Sequence, residues 1–113
     1  MKVNGKSYRT IGLKPGDDRV VQVIDQVQLP HAFDIVDLVC VDDMRRAIKD
    51  MTIRGAGLIG AGAAFGMYLA ALEAPEATFL ASIQAAGNQL KATRPTATNL
   101  AWAVDRMLRA IAN

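Results

Sequence analysis

This sequence holds few of the residues that build ready-made chemistry. Its 113 residues include one cysteine, Cys40, and one histidine, His31. A single cysteine excludes an internal disulfide and a cysteine-built metal cluster. A single histidine argues equally against a histidine zinc site, so no metal is expected. Aromatic residues make up 5% and the net charge is only +2. Neither the basic excess nor the aromatic content of a nucleic-acid surface is present. The opening MKVNGKSYRT has no apolar run, which predicts no secretory signal and a reducing, cytoplasmic setting. No repeat or low-complexity segment occurs.

What is present divides near residue 42. Eight of the nine valines lie at or before Val41, whereas 17 of the 19 alanines follow Gly55. Valine suits a pleated, half-buried sheet and alanine costs least in a helix. The expected fold class is therefore α+β: a small three-stranded antiparallel sheet followed by a helical bundle of about four helices. Residues 1–41 form the β-rich part and residues 42–113 the helical part of a single domain. A chain of this length removes roughly two-thirds of its unfolded surface from water, enough for one core.

Strands are predicted over Lys6–Leu13 and Arg19–Val27, joined by the Pro15-Gly16 turn, in which proline fixes φ and glycine accepts a positive φ. Leu29-Pro30 breaks the second run, and the alternation in FDIVDLVCV predicts a third strand over Phe33–Val41, with Cys40 in the core. Asp42 or Asp43 is the expected N-cap of a helix that turns Met44, Ala47, Ile48 and Met51 inward. Further helices are expected over Gly55–Leu72, from Pro75-Glu76 through Leu90, and from Ala97 or Thr98 to Ala110. The last would point Leu100, Val104, Met107, Leu108 and Ile111 inward, and Trp102, Tyr68 and Phe65 are expected in the core or an interface.

The uncharged stretch 55–72 is long enough to span a membrane. Eleven of its 18 residues are Gly or Ala, however, which supply little transfer energy, and Gly62-x-x-x-Gly66 allows close helix contact in water. A buried, closely packed helix is the expectation. Gly55-Ala56-Gly57-Leu58-Ile59-Gly60 also matches the dinucleotide fingerprint G-x-G-x-x-G. That motif acts after a buried strand in a βαβ unit, and here a charged helical segment precedes it. No dinucleotide is expected.

Two anion-binding places remain. Arg54 precedes a glycine-rich turn that opens a helix, where free N–H groups and the positive end of the helix dipole favour an anion. Arg94, held out of helical geometry by Pro95, stands before the last helix, which Thr96 or Thr98 could cap and whose first turn holds Asn99. Together they outline a phosphate clamp. Tight packing with solvated arginines accounts for the same residues, and the residues alone do not choose. Asp42-Asp43 reads as capping rather than metal binding, His31 as a loop residue without an acid partner, and Cys40 as buried rather than nucleophilic.

The motif 53–60, Ile-Arg-Gly-Ala-x-x-Ile-Gly, is followed by Ala63-Ala64-Phe65-Gly66 and then by Arg94-Pro95-Thr96-Ala97-x-Asn99-Leu100 with Trp102-Ala103. With Ile24-Asp25-Gln26-x-x-Leu29-Pro30, these resemble the methylthioribose-1-phosphate isomerase family. That family is related to the regulatory subunits of translation initiation factor 2B and to ribose-1,5-bisphosphate isomerases. The resemblance implies an N-terminal domain, with a C-terminal Rossmann-like domain to follow and a homodimer of the full-length protein. It implies that Arg54, Gly55, Ala56 and Arg94 contact a sugar 1-phosphate, chiefly its phosphate. The implied reaction is aldose-to-ketose isomerisation in methionine salvage, without an added cofactor. Its catalytic cysteine and aspartate belong to the second domain, so none of these residues is expected to be catalytic and the isolated chain should be inactive. Gly57-Leu58 stands where the family has Pro-Ala, and Thr98 where it has valine, which leaves open another sugar 1-phosphate. The alternative is a non-catalytic regulatory or scaffold module related to the initiation factor 2B subunits.

Overall fold

The computed structural model describes residues 2–3, 6–7, 10–25, 34–53 and 55–112. Arg54 and His31 lie outside the described residues, as does the Leu29-Pro30 break.

Two very short strands, β1 (Lys2–Val3) and β2 (Lys6–Ser7), pair antiparallel. A three-stranded antiparallel sheet follows, in the order β3 (Ile11–Lys14), β4 (Asp17–Ile24), β5 (Ile35–Leu38). The strand expected over Lys6–Leu13 is thus divided between β2 and β3. Pro15 and Gly16 make the β3–β4 turn, with Gly16 at φ +82°, and Asp17 steadies its exit by accepting the Arg19 N–H at 3.0 Å. In β4, Val20, Val21, Val23 and Ile24 are all buried, and Val21, Val23 and Leu38 join the main core.

The third strand is shorter than its alternation suggests. Val39 leaves the sheet, Cys40 is the extended N-cap, and α1 runs over Val41–Lys49. Neither Asp42 nor Asp43 is the cap, and half-buried Cys40 is neither in a strand nor deep in the core. The acids act from within the first turn, where negative charge suits the helix dipole. Asp43 reaches back to the Val39 N–H at 3.0 Å, and Glu73 accepts the Val41 N–H at 3.4 Å. Met44, Ala47 and Ile48 are buried as expected. Met51 is not: its backbone turns left-handed (φ 63°), its side chain is 41% exposed, and fully buried Ile53 fills the core instead.

Helix α2 (Ala56–Glu73) is long and apolar enough to cross a membrane by length and composition, but α1, α3, α4 and β4 all pack on it. Gly62 faces Ile53 and Met44, while Gly66 faces Met44 and Leu90. Small residues at these positions let the neighbours approach closely, which is how dispersion contacts accumulate in a core. Pro75 precedes one turn of 3-10 helix (Glu76–Thr78), then α3 (Phe79–Thr93) and α4 (Thr98–Ala112) follow. Ile83, Ala86 and Leu90 of α3 and Leu100 and Val104 of α4 complete the core, with Phe79, Met107, Leu108 and Ile111 packed at its margin.

Candidate functional site

Gly55 stands at φ 94°, a backbone conformation that costs glycine little and other residues much. From there α2 starts at once, its first bond running from the Ile59 N–H to the Gly55 carbonyl at 2.9 Å. The first amides of a helix have no partner inside it. Among the described residues no side chain caps them, and no acid lies in the first turn. Gly55, Ala56 and Gly57 are all exposed, and nothing lies within 4 Å of where a Gly57 side chain would begin. The start of α2 is an open, electropositive backbone surface.

The start of α4 lies at the same end. Gly60 packs against Asn99, Ala64 shares a cleft with Ala103, and Tyr68 shares another with Met107. Each pair is separated by the same 39 residues, so α2 and α4 run parallel. Carried one turn back, that register brings Gly55 and Ala56 level with the Arg94–Ala97 connection. Two helix N-termini therefore point the same way from adjacent positions. No acid lies in the first turn of α4 either, and its first bonds run to the Ala97 carbonyl. Thr96 and Thr98 were expected to cap α4, but neither makes a capping side-chain bond among the described residues.

Arg94 ends α3 with a non-helical backbone (φ −145°, ψ 81°), outside the α region that a following proline disfavours. Its carbonyl accepts the Ala97 N–H at 3.0 Å, which closes the connection. Its half-buried side chain has no hydrogen bond or ion pair among the described residues. Of the four predicted site residues, the structure thus gathers Gly55, Ala56 and Arg94 at one end of the α2–α4 pair.

Below this end a cleft of about 420 Å³ runs between the two helices. Ala56, Gly57 and Gly60 form one wall and Asn99, Trp102 and Arg106 the other. Trp102 is 60% exposed, with the Arg106 guanidinium 5.5 Å from its ring centre. At that distance a guanidinium is attracted to the ring face. Trp102 therefore belongs to an open cleft wall rather than the core. Tyr68 and Phe65 are half-buried, and the Tyr68 hydroxyl donates to the Asp18 carbonyl at 2.5 Å. Asn99, Trp102 and Arg106 follow helical spacing i, i+3, i+7, a signal legible in the sequence but masked by the hydrophobicity of tryptophan.

No acid, histidine or cysteine lines the cleft among the described residues. Asp105 of α4 is bound by Lys91 at 2.5 Å, and Asp43 and Asp37 lie on α1 and β5. Burial pushes the Asp43 carboxyl up, but hydrogen bonds from Val39, Arg46 and Cys40 outweigh it and hold the group below its usual value. Asp37 is also lowered, by bonds from Gln22 and Lys14. Cys40 stands beside Asp43 and not at the cleft. Among the described residues, no group of three or more His, Cys, Asp or Glu could hold a metal.

The fold is that of a known family. Residues 52–113 match the family described as the initiation factor 2 subunit family, and the chain belongs to it. It is similar over almost its whole length to methylthioribose-1-phosphate isomerases. That of Paramagnetospirillum magneticum is 51% identical over 98% of this chain and 30% of the relative. The solved 5-methylthioribose 1-phosphate isomerase of Pyrococcus horikoshii superposes with a TM-score of 0.85 at 38% identity, over 95% of this chain and 30% of that one. Subunit delta of translation initiation factor eIF-2B from A. fulgidus gives 0.82 at 34% identity, over 92% and 30%. The chain spans about 30% of the length of the relatives it matches.

Proposed function

We propose that this chain supplies the phosphate-holding part of an aldose–ketose isomerase acting on 5-methylthioribose 1-phosphate or a related sugar 1-phosphate in methionine salvage. The observation that carries the reading is the pair of parallel helix N-termini with Arg94 beside them, all without a side-chain partner among the described residues. Free amides of Ala56 and Gly57 can donate to phosphate oxygens. Arg94 adds a charge-assisted, bidentate contact, and Arg54 is assigned the same role from its place in the motif. The cleft below, lined by Gly60, Asn99 and Trp102, then receives the sugar. Its similarity to methylthioribose-1-phosphate isomerases supports this choice of substrate.

Moving a proton or a hydride between C1 and C2, with the hydroxyl proton transfers that go with it, requires a general acid and base within hydrogen-bond reach. The cleft offers neither among the described residues. These residues therefore bind and orient, which lowers a barrier through positioning and electrostatics. The reacting groups come from a further, Rossmann-like part of the protein, with which this domain encloses the substrate.

Trp102 is the sole tryptophan and lines the cleft, so it reports binding directly. Adding 5-methylthioribose 1-phosphate should change its emission saturably, and Arg94→Ala should weaken that binding about tenfold or more, the worth of a hydrogen bond to a charged group. Unchanged emission, or equal affinity in Arg94→Ala, would defeat the proposal. The likeness to eIF-2B subunit delta favours a second reading, a non-catalytic regulatory module. Under it, the longer protein containing this chain binds the phosphate without turning it over.

A further inference from the structure

Between Ala77 and Asn113 the sequence has one acidic residue, Asp105. Helix α4 carries it together with Asn99, Trp102 and Arg106, so its charge opposes any anion held at the start of that helix. Lys91, in the last turn of α3, reaches across the hairpin and donates to Asp105 Oδ1 at 2.5 Å. Three residues on, Arg94 keeps no partner among the described residues. The two cations at the end of α3 thus divide: one is engaged by the hairpin's own acid, and the other has no partner among the described residues. Thr93 closes the same turn by donating to the Leu90 carbonyl at 2.5 Å.

We infer that Lys91 is a positioning residue for the anion site. By engaging Asp105 it cancels the one negative charge of the α3–α4 hairpin and ties together the elbow that carries Arg94. This rests on the reading of Arg94 as a phosphate contact. Charges separated by about 10 Å still interact at low ionic strength and are screened near 0.15 M salt. The effect of Lys91 should therefore be largest in dilute buffer.

Calorimetric titration of the 113-residue chain with 5-methylthioribose 1-phosphate at low ionic strength tests it. Lys91→Met should weaken binding about fivefold, and Lys91→Arg should not. The double variant Lys91→Met with Asp105→Asn should return to within about twofold of the parent, because the charge that Lys91 answers is gone. Asp105→Asn alone should bind at least as tightly as the parent, which keeps the idea testable if Lys91→Met folds poorly. A double variant as weak as Lys91→Met would mean that Lys91 acts through packing and would overturn the inference. Unchanged binding by Lys91→Met would overturn it too. Arg94→Ala separates the two levels. If it binds normally, or if the parent does not bind, the phosphate reading fails and this inference with it. If it binds weakly while the Lys91 series is flat, the positioning role alone fails.

Discussion

One substitution made at two glycines should have opposite signs. Gly60 lies inside α2, and a Cβ built there would sit 3.7 Å from Asn99, an ordinary contact. Gly60→Ala therefore gains only the lower chain entropy of alanine, about 0.5–1 kcal/mol in a helix interior. Gly87 lies inside α3, and its Cβ would meet Val104 Cγ1 at 2.9 Å, Leu108 Cδ1 at 3.4 Å and Met67 Sδ at 3.6 Å. Val104 is fully buried, and a helical valine has essentially one χ1 rotamer, so it cannot swing aside. Overpacking of this kind costs about 1–3 kcal/mol. Set against the same entropic gain, Gly87→Ala should lose about 1 kcal/mol net. Urea unfolding would show the two variants separated by about 1.5–2 kcal/mol. In thermal melts of a domain this size, each 1 kcal/mol moves Tm by about 4 °C. Removing the obstacle should reveal coupling: Val104→Ala and Gly87→Ala together should cost about 1 kcal/mol less than their sum. If Gly87→Ala stabilises as much as Gly60→Ala, α3 and α4 are not packed as described and the paired-helix geometry loses its support.

The remaining expectations concern the core, acid and catalysis. Leu90→Ala, at a fully buried position against Gly66, should cost about 2–5 kcal/mol in denaturant unfolding without altering the cleft. Asp43 has a lowered folded-state pKa, so its stabilising effect is complete above the ordinary aspartate value of about 3.9 and is lost as pH falls through the lower folded value. Asp43→Asn keeps an oxygen that can accept the Val39 N–H but loses the charge, so it should flatten the acid limb of a stability–pH curve and cost about 0.5 kcal/mol at neutral pH, the worth of a negative charge at a helix start. The purified 113-residue chain should show no isomerase turnover in a coupled assay, and measurable turnover would place the acid and base within these residues.

Much of the fold was legible because local and global preferences agree. A valine-rich run marks β4, Pro15-Gly16 marks its turn, and the spacing of Ile83, Ala86 and Leu90 marks the inner face of α3. The failures occur where a pattern continues past the point at which the chain turns. Alternation in FDIVDLVCV runs on to Val41, but Asp43 reaches back to Val39 and starts a helix there. Helical spacing counts Met51 inward, but the backbone has already turned left-handed. Trp102 looks like core by composition, whereas its amphipathic ring suits a wet cleft wall beside Arg106. The sequence offers Arg94 and the glycine-rich turn at Gly55 as anion-binding candidates, and the resemblance adds Ala56. That α2 and α4 run parallel, so that their starts share one end, was not legible: it follows from contacts such as Gly60 with Asn99, far apart in sequence.

Amide chemical shifts measured by NMR while 5-methylthioribose 1-phosphate is added test the central claim most directly. If the two helix starts hold the phosphate, the amides of Ala56, Gly57, Thr98 and Asn99 should move together with one affinity, while those of α1 and β5 stay still. Shifts at only one helix start, or shifts centred elsewhere in the domain, would contradict it.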